Sequence, residues 1–196
     1  MITSGDKAMK YLSKEELVSF FKVVDKAKRP QHRLAFRLIV HFGLRVQEAV
    51  NIKLEDIEKS ESIRIQGIKN GRQRIYAGQE VPGKIWRCYN AWVKERGKSK
   101  NPYLFPSRFH ADKSLTAEAL KTAFQGYVES SDISSHYSIH ALRHSCAVMM
   151  VMGKEQPITI MNWLRHRTIA STQVYIESFI DYEAGVRQSR RSEGYL

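Results

Sequence analysis

The chain has 196 residues, 42% of them apolar and 27% charged, which suffices for one sizeable hydrophobic core. Its 32 lysines and arginines exceed its 20 aspartates and glutamates, giving a formal net charge of +12. So basic a domain usually binds a polyanion, with DNA or RNA first. The charge would also suit a membrane surface. However, the sequence has no apolar stretch that could span a bilayer and no basic amphipathic helix at a terminus, so we expect no membrane association.

The two cysteines, Cys88 and Cys146, are too few for a disulfide framework or a thiol metal site. Residues 1–10 lack the apolar core of a signal peptide. The sequence shows neither a carboxylate cluster nor a phosphate-binding glycine loop, which argues against metal-dependent nucleases and transposases. We therefore expect a cytoplasmic protein that uses no metal and no other cofactor.

The N-terminal part predicts a series of helices. Ser13 and Glu16 form a capping box ahead of apolar residues at helical spacing. A second apolar helix is predicted over residues 31–42, and Gly43 interrupts it. Arg45 should therefore lie at a turn that leads into another short helix.

A β-hairpin is predicted next. Isoleucines alternate imperfectly with polar residues over 62–68, and a second short strand is predicted over 72–77. Asn70 and Gly71 between them form the strongest short signal for a tight turn. This places Lys69 at the hairpin tip, where most lysines are only solvated.

Four further helices follow, each indicated by apolar residues at helical spacing. They run from Pro82 to Gly97, around residues 120–128, over 139–152 with Ser138 as the N-cap, and from Pro157 to Leu164. The apolar stripes of the first two are interpreted as core packing. Many helices with one hairpin predict a mostly α fold with a small antiparallel sheet (α+β), and we expect residues 1–196 to form a single domain.

His140 and Arg143 are three residues apart near the start of a predicted helix, so both side chains leave the same face. A helix N-terminus favours anions, and the two residues could hold one phosphate there. A solvated helix face is the commoner explanation of such a pair.

Arg45 lies in an apolar segment, where a buried guanidinium requires a partner. A phosphate would serve, and so would an ion pair with Glu48 or Glu55. Taken singly, His166 and Tyr175 would be a surface histidine and a half-buried tyrosine. None of these residues is assigned a function by its position alone.

Four segments of the chain occur in the order of a known family. They are GLRVQEAVNIKLEDI at 43–57, IKNGRQRI at 68–75, HALRHSCA at 140–147 and LRHRTIASTQVYIE at 164–177. Through them the chain resembles the tyrosine recombinase (phage integrase) family over nearly all of its catalytic domain. The last two segments are the most specific.

The resemblance implies six catalytic side chains, which are Arg45, Lys69, His140, Arg143, His166 and Tyr175. The arginines would stabilise charge on a phosphate, and Tyr175 would attack it while His140 assists removal of the phenolic proton. His166 would donate a hydrogen bond to the phosphate, and Lys69 would protonate the departing 5′ oxygen. Lys53 and other basic residues near the hairpin compete for the role of Lys69. Arg165 replaces the usual glycine of the family and would alter the local turn or add a phosphate contact.

The family chemistry would join Tyr175 to a 3′ phosphate of double-stranded DNA, without ATP or metal, in a site-specific recombinase that assembles as a tetramer. Three alternatives stay open, namely a type IB topoisomerase, a DNA-binding regulator without catalysis, and an RNA-binding module, although the last lacks an aromatic sheet motif. We expect the usual N-terminal domain of the family to be absent, in either a fragment or a short form like the fimbrial switch invertases. Residues 179–196 would either fold back on their own core or dock on a neighbouring protomer.

Overall fold

The computed structural model describes residues 10–57, 62–68, 72–133 and 136–180. Its α-helices are α1 (Lys14–Lys26), α2 (Pro30–Phe42), α3 (Val46–Val50), α4 (Gly83–Arg96), α5 (Ala117–Glu129), α6 (His140–Met152), α7 (Pro157–Trp163) and α8 (residues 170–180). Strands β1 (Ile63–Ile65) and β2 (Arg74–Tyr76) pair antiparallel, with Ile63 opposite Tyr76. The predicted fold class, mostly α with a small antiparallel hairpin, is confirmed.

The helix termini follow the sequence signals with one exception. The Ser13 hydroxyl accepts a hydrogen bond from the Glu16 amide at 3.2 Å, and the Glu16 carboxylate accepts one from the Ser13 amide at 2.8 Å. The predicted N-cap at Ser138 is wrong. Ile139 precedes α6 with helical dihedral angles and no side-chain cap, and Ser138 instead accepts a 2.8 Å bond at its carbonyl from Ala141.

The hydrophobic core is centred on α2, which packs against α1, α3, α4 and α6. Phe20, Phe36 and Phe124 meet there with ring centroids no more than 6.0 Å apart. Full burial of such a side chain contributes about 1.5–3 kcal/mol. Among the described helices, none has the length and apolar character needed to cross a lipid bilayer.

Gly43 makes the sharp turn between α2 and α3. Its φ of +56° lies in the left-handed region, and a Cβ at this position would collide with the side chain of Leu164. The glycine therefore lets the backbone turn and also lets the segment after α7 approach. Arg45 follows as the N-cap residue of α3, as predicted.

The hairpin is anchored by Tyr76, which is completely buried. Its ring lies 4.4 Å from that of Phe42, and its hydroxyl donates a 2.6 Å hydrogen bond to the carbonyl of Trp163. Burial raises the pKa of Tyr76 to about 12, so the hydroxyl keeps its proton. The strands are shorter than predicted, and the predicted tip with Lys69 lies outside the described residues.

Candidate active site

Five of the six candidate residues converge where the turn after α2, the helix α6 and the segment from α7 to α8 meet. Arg45 is the N-cap residue of α3, His140 and Arg143 lie on the first turn of α6, and Tyr175 lies on α8. Beyond the effect of burial, the charges of both arginines bear on the pKa of His140, His166 and Tyr175. The sixth candidate, Lys69, lies outside the described part of the chain.

Glu48 interacts with both Arg45 and Arg143. Its carboxylate is fully buried, accepts a 2.9 Å bond from Arg45 and lies 3.8 Å from Nη1 of Arg143. Burial opposes the negative charge, yet Arg165 and the other donors keep the pKa of Glu48 below its ordinary value. Of the two ion pairs considered for Arg45, the one with Glu48 is present, whereas Glu55 pairs with Lys53 at 3.3 Å.

The two arginines differ in exposure. Arg143 is almost completely buried, and its guanidinium donates to the carbonyls of Gly43 and, at 3.0 Å, Leu164. Arg45 keeps 40% of its side chain exposed. The first is therefore held rigidly by the backbone, and the second is open to a ligand at the surface.

Arg165 turns inward, although it replaces the glycine usual in the family. Its φ of +57° is left-handed, as a glycine would allow, so the local turn persists. Its guanidinium is completely buried and donates at 2.8 Å to Glu48 and at 3.1 Å to the carbonyls of Phe42 and Gly43. It also donates to the hydroxyl of Tyr76, which connects the site to the hairpin. In this structure the side chain of Arg165 forms a buried ion pair with Glu48 and does not reach the surface.

Tyr175 has its hydroxyl inside the cluster and only 5% of its surface exposed. The ring stacks on His166 with centroids 6.0 Å apart and an interplanar angle of 13°. Burial raises the pKa of Tyr175, and the charge of Arg143 opposes that rise. The hydroxyl lies 3.1 Å from Nδ1 of His144, a residue that sequence reasoning passed over.

The two histidines that contact Tyr175 are held neutral. Burial, with His140 and Arg143 nearby, lowers the pKa of His144 to about 4. Burial and the surrounding arginines do the same for His166, whose Nδ1 shares a 2.9 Å hydrogen bond with the hydroxyl of Thr172. Sequence spacing could have revealed His144, since positions i, i+3 and i+4 share one helix face and are occupied here by His140, Arg143 and His144.

The site has what tyrosine attack on a phosphate diester requires. Buried and surface guanidinium groups can stabilise charge on the phosphate, and a tyrosine hydroxyl lies beside them within hydrogen-bond distance of a neutral imidazole. Comparison with known proteins gives the same class. The model of the phage integrase family matches residues 10–180, and the chain belongs to that family.

The chain is also similar to individual relatives and to the fold of solved structures. Tyrosine recombinase XerC of Vibrio cholerae is 30% identical over 171 residues, which cover 85% of this chain and 53% of the relative. A XerH recombinase bound to its palindromic difH substrate has a TM-score of 0.77 at 23% identity, covering 97% of this chain and 55% of that one. A lambda integrase dimer bound to a core site has a TM-score of 0.69 at 15% identity, covering 88% and 49%. The chain thus spans about half the length of the curated relatives it matches.

Proposed function

We propose that the chain is the catalytic part of a site-specific recombinase that cleaves and rejoins double-stranded DNA through a 3′-phosphotyrosyl bond. The observation that carries the proposal is the hydroxyl of Tyr175, which lies beside His144 and near the buried Arg143. The net charge of +12 supports a polyanionic substrate. The XerC, XerH and lambda integrase likenesses support recombination over the topoisomerase, regulator and RNA-binding alternatives.

In the proposed reaction Tyr175 attacks the phosphorus while the P–O5′ bond breaks. Arg45 from the surface and Arg143 from the interior would bind the nonbridging oxygens, where charge builds up in the transition state. His140 at the start of α6 and His166 beside the tyrosine ring would add hydrogen bonds to the same phosphate. Because the phosphotyrosine retains the energy of the diester, a 5′ hydroxyl can reverse the step and rejoin a strand.

A covalent trap tests this function. Duplexes with a randomised core and a nick near the cleavage point lose a short fragment after attack, so religation is prevented. Incubation with the protein at low salt should give a species that survives denaturing electrophoresis, and peptide mass spectrometry should place the nucleotide on Tyr175. Relaxation of supercoiled DNA without recombinant products would favour the topoisomerase instead. DNA binding without any adduct would favour the regulator.

Lys69 is proposed as the acid that protonates the departing 5′ oxygen. Support comes from the resemblance and from the hairpin, which Tyr76 ties to Arg165 and Trp163 beside the site. The Lys69→Ala variant should cleave an ordinary substrate more slowly than the wild type. It should cleave a 5′-phosphorothiolate substrate at close to the wild-type rate, because sulfur leaves without a proton. Single-turnover rates on the two substrates measure this. Equal rate defects on the two substrates would leave Lys69 with a binding role at most. Lys53→Ala is the matched control, because Lys53 is the competing lysine.

Assembly into a DNA-bound tetramer is part of the same proposal. An apolar groove of roughly 880 Å³ opens between α1, α2, α6 and α7, with Val18 65% and Met149 40% exposed. Exposed apolar area of this kind is a common mark of protein interfaces. We propose that residues 179–196 of a neighbouring copy fill this groove with Phe179, Tyr182 and Val186. The last two of these residues lie outside the described part of the chain.

Deletion of residues 179–196 should therefore spare binding to a half-site and weaken cooperative binding to a full site, since so short a segment is expected to gain order only against a partner surface. Gel-shift titrations on trapped half and full sites measure the difference. Met149→Lys in the groove should reproduce the defect, whereas Phe109→Lys, at an exposed position outside the groove, should not. Unchanged cooperativity in the deletion would argue that the tail folds on its own core.

A further inference from the structure

His144 contacts the hydroxyl of Tyr175, which also interacts with Arg143. Nδ1 lies 3.1 Å from the phenolic oxygen, with the ring centroids 5.7 Å apart. The histidine belongs to the rigid α6, where Arg143 precedes it and the buried Ser145 follows it. The contact therefore places an imidazole nitrogen of a packed helix beside the oxygen that must lose a proton.

We propose that His144 accepts the proton of Tyr175 during strand cleavage and returns it during rejoining. The inference rests on the proposed function and assigns to a different residue the role that sequence reasoning gave to His140. As the Oη–P bond forms, the phenolic proton moves to Nδ1 and leaves an imidazolium. As the P–O5′ bond breaks, the 5′ oxygen takes a proton from the acid, for which Lys69 is proposed. The protein therefore gains one proton at His144 and loses one at the acid. In rejoining, both transfers reverse.

The charge state of His144 suits this role. With a pKa of about 4 it is neutral at physiological pH, so one ring nitrogen carries a lone pair. In the tautomer that is protonated at Nε2 this nitrogen is Nδ1, the atom that faces the hydroxyl of Tyr175. Bound DNA would bring a phosphate anion beside the cluster and raise the proton affinity of the ring, because a nearby negative charge favours the charged form. The base would therefore strengthen when the substrate arrives.

His140 occupies a different position. Its side chain reaches the surface at the first residue of α6. Partial loss of solvent around the ring, and then the charges of Lys121, Arg143 and Arg45, lower its pKa. The charges that act on His140 would also attract a phosphate, so His140 is placed to donate to it. In this proposal His140 donates a hydrogen bond to the phosphate, and His144 accepts the proton of the nucleophile.

The test separates proton transfer from positioning. His144→Asn keeps an acceptor oxygen close to the place of Nδ1 but takes up no proton, and His144→Ala removes both. Both variants should form the trapped adduct about 100-fold more slowly, a typical contribution of a general base. Imidazole in the buffer should restore part of the rate to His144→Ala only. Rejoining of an isolated adduct should slow in parallel, and His110→Asn at an exposed loop position serves as the matched control.

Thermal unfolding and half-site binding show whether the variants are folded, and only folded variants are compared. Wild-type rates in His144→Asn would mean that the acceptor merely positions the hydroxyl, and faster cleavage in His144→Ala would mean that it restrains the tyrosine. Either result overturns the inference while leaving the recombinase function intact. Failure of the wild-type protein to form any adduct would instead refute the function itself.

Discussion

Replacement of Tyr175 by phenylalanine is expected to abolish the covalent DNA adduct and to leave duplex binding near the wild-type level. The change removes only the hydroxyl, so the ring should keep its stacking on His166 and its place in the cluster with Cys146 and Leu164. The lost hydrogen bond to His144 should lower the free energy of unfolding by about 1 kcal/mol. Denaturing gels with nicked duplexes measure the adduct, and gel shifts measure binding.

Tyr137→Phe is the matched control for that experiment. It removes a tyrosine hydroxyl that donates to Glu16 at 2.9 Å, away from the cluster, and should form the adduct normally. An adduct that persists in Tyr175→Phe would move the nucleophile elsewhere, with Tyr182 as the first alternative. Loss of the adduct in both variants would indicate that the assay reports stability rather than chemistry.

The local elements were predictable because their signals are short in sequence. The capping box at Ser13, the turn at Gly43 and the hairpin between residues 62 and 77 each depend on neighbours a few positions apart. The convergence of Arg45, Arg143 and Tyr175 was predictable only through the family resemblance, since no local rule brings residues so distant in sequence together.

The partners inside the site could not be predicted in this way. Arg165 pairs with Glu48 across 117 residues, and Arg143 meets the carbonyl of Gly43 across 100. Sequence reasoning could see that Arg165 replaced a glycine but not where its guanidinium would point. That direction is decided by tertiary burial, which places a carboxylate, three carbonyls and the hydroxyl of Tyr76 around it.

Arg165→Met is expected to lower the free energy of unfolding by about 3–5 kcal/mol, because it leaves the buried carboxylate of Glu48 without its main partner. Methionine has a similar length and no charge, so most of the volume is retained. Glu48→Gln should be similarly costly, since it leaves Arg165 and Arg143 buried near one another. Urea unfolding at constant pH measures both variants. Lys121→Met, which breaks an exposed pair with Glu118, should cost less than about 1 kcal/mol.

The double variant of Glu48→Gln and Arg165→Met gives the sharper result. Each single change leaves the charged partner buried without its counterion, whereas the double variant removes both charges. The loss of unfolding free energy in the double variant should therefore be smaller than the sum of the two single losses by about 1 kcal/mol or more. Cleavage should decline in every variant that lacks the carboxylate, since Glu48 also holds Arg45 at 2.9 Å. Additive losses, or an Arg165→Met protein as stable as the wild type, would show that the buried guanidinium is not what keeps Glu48 charged. The orientation of Arg143 would then have to come from the backbone carbonyls that it binds.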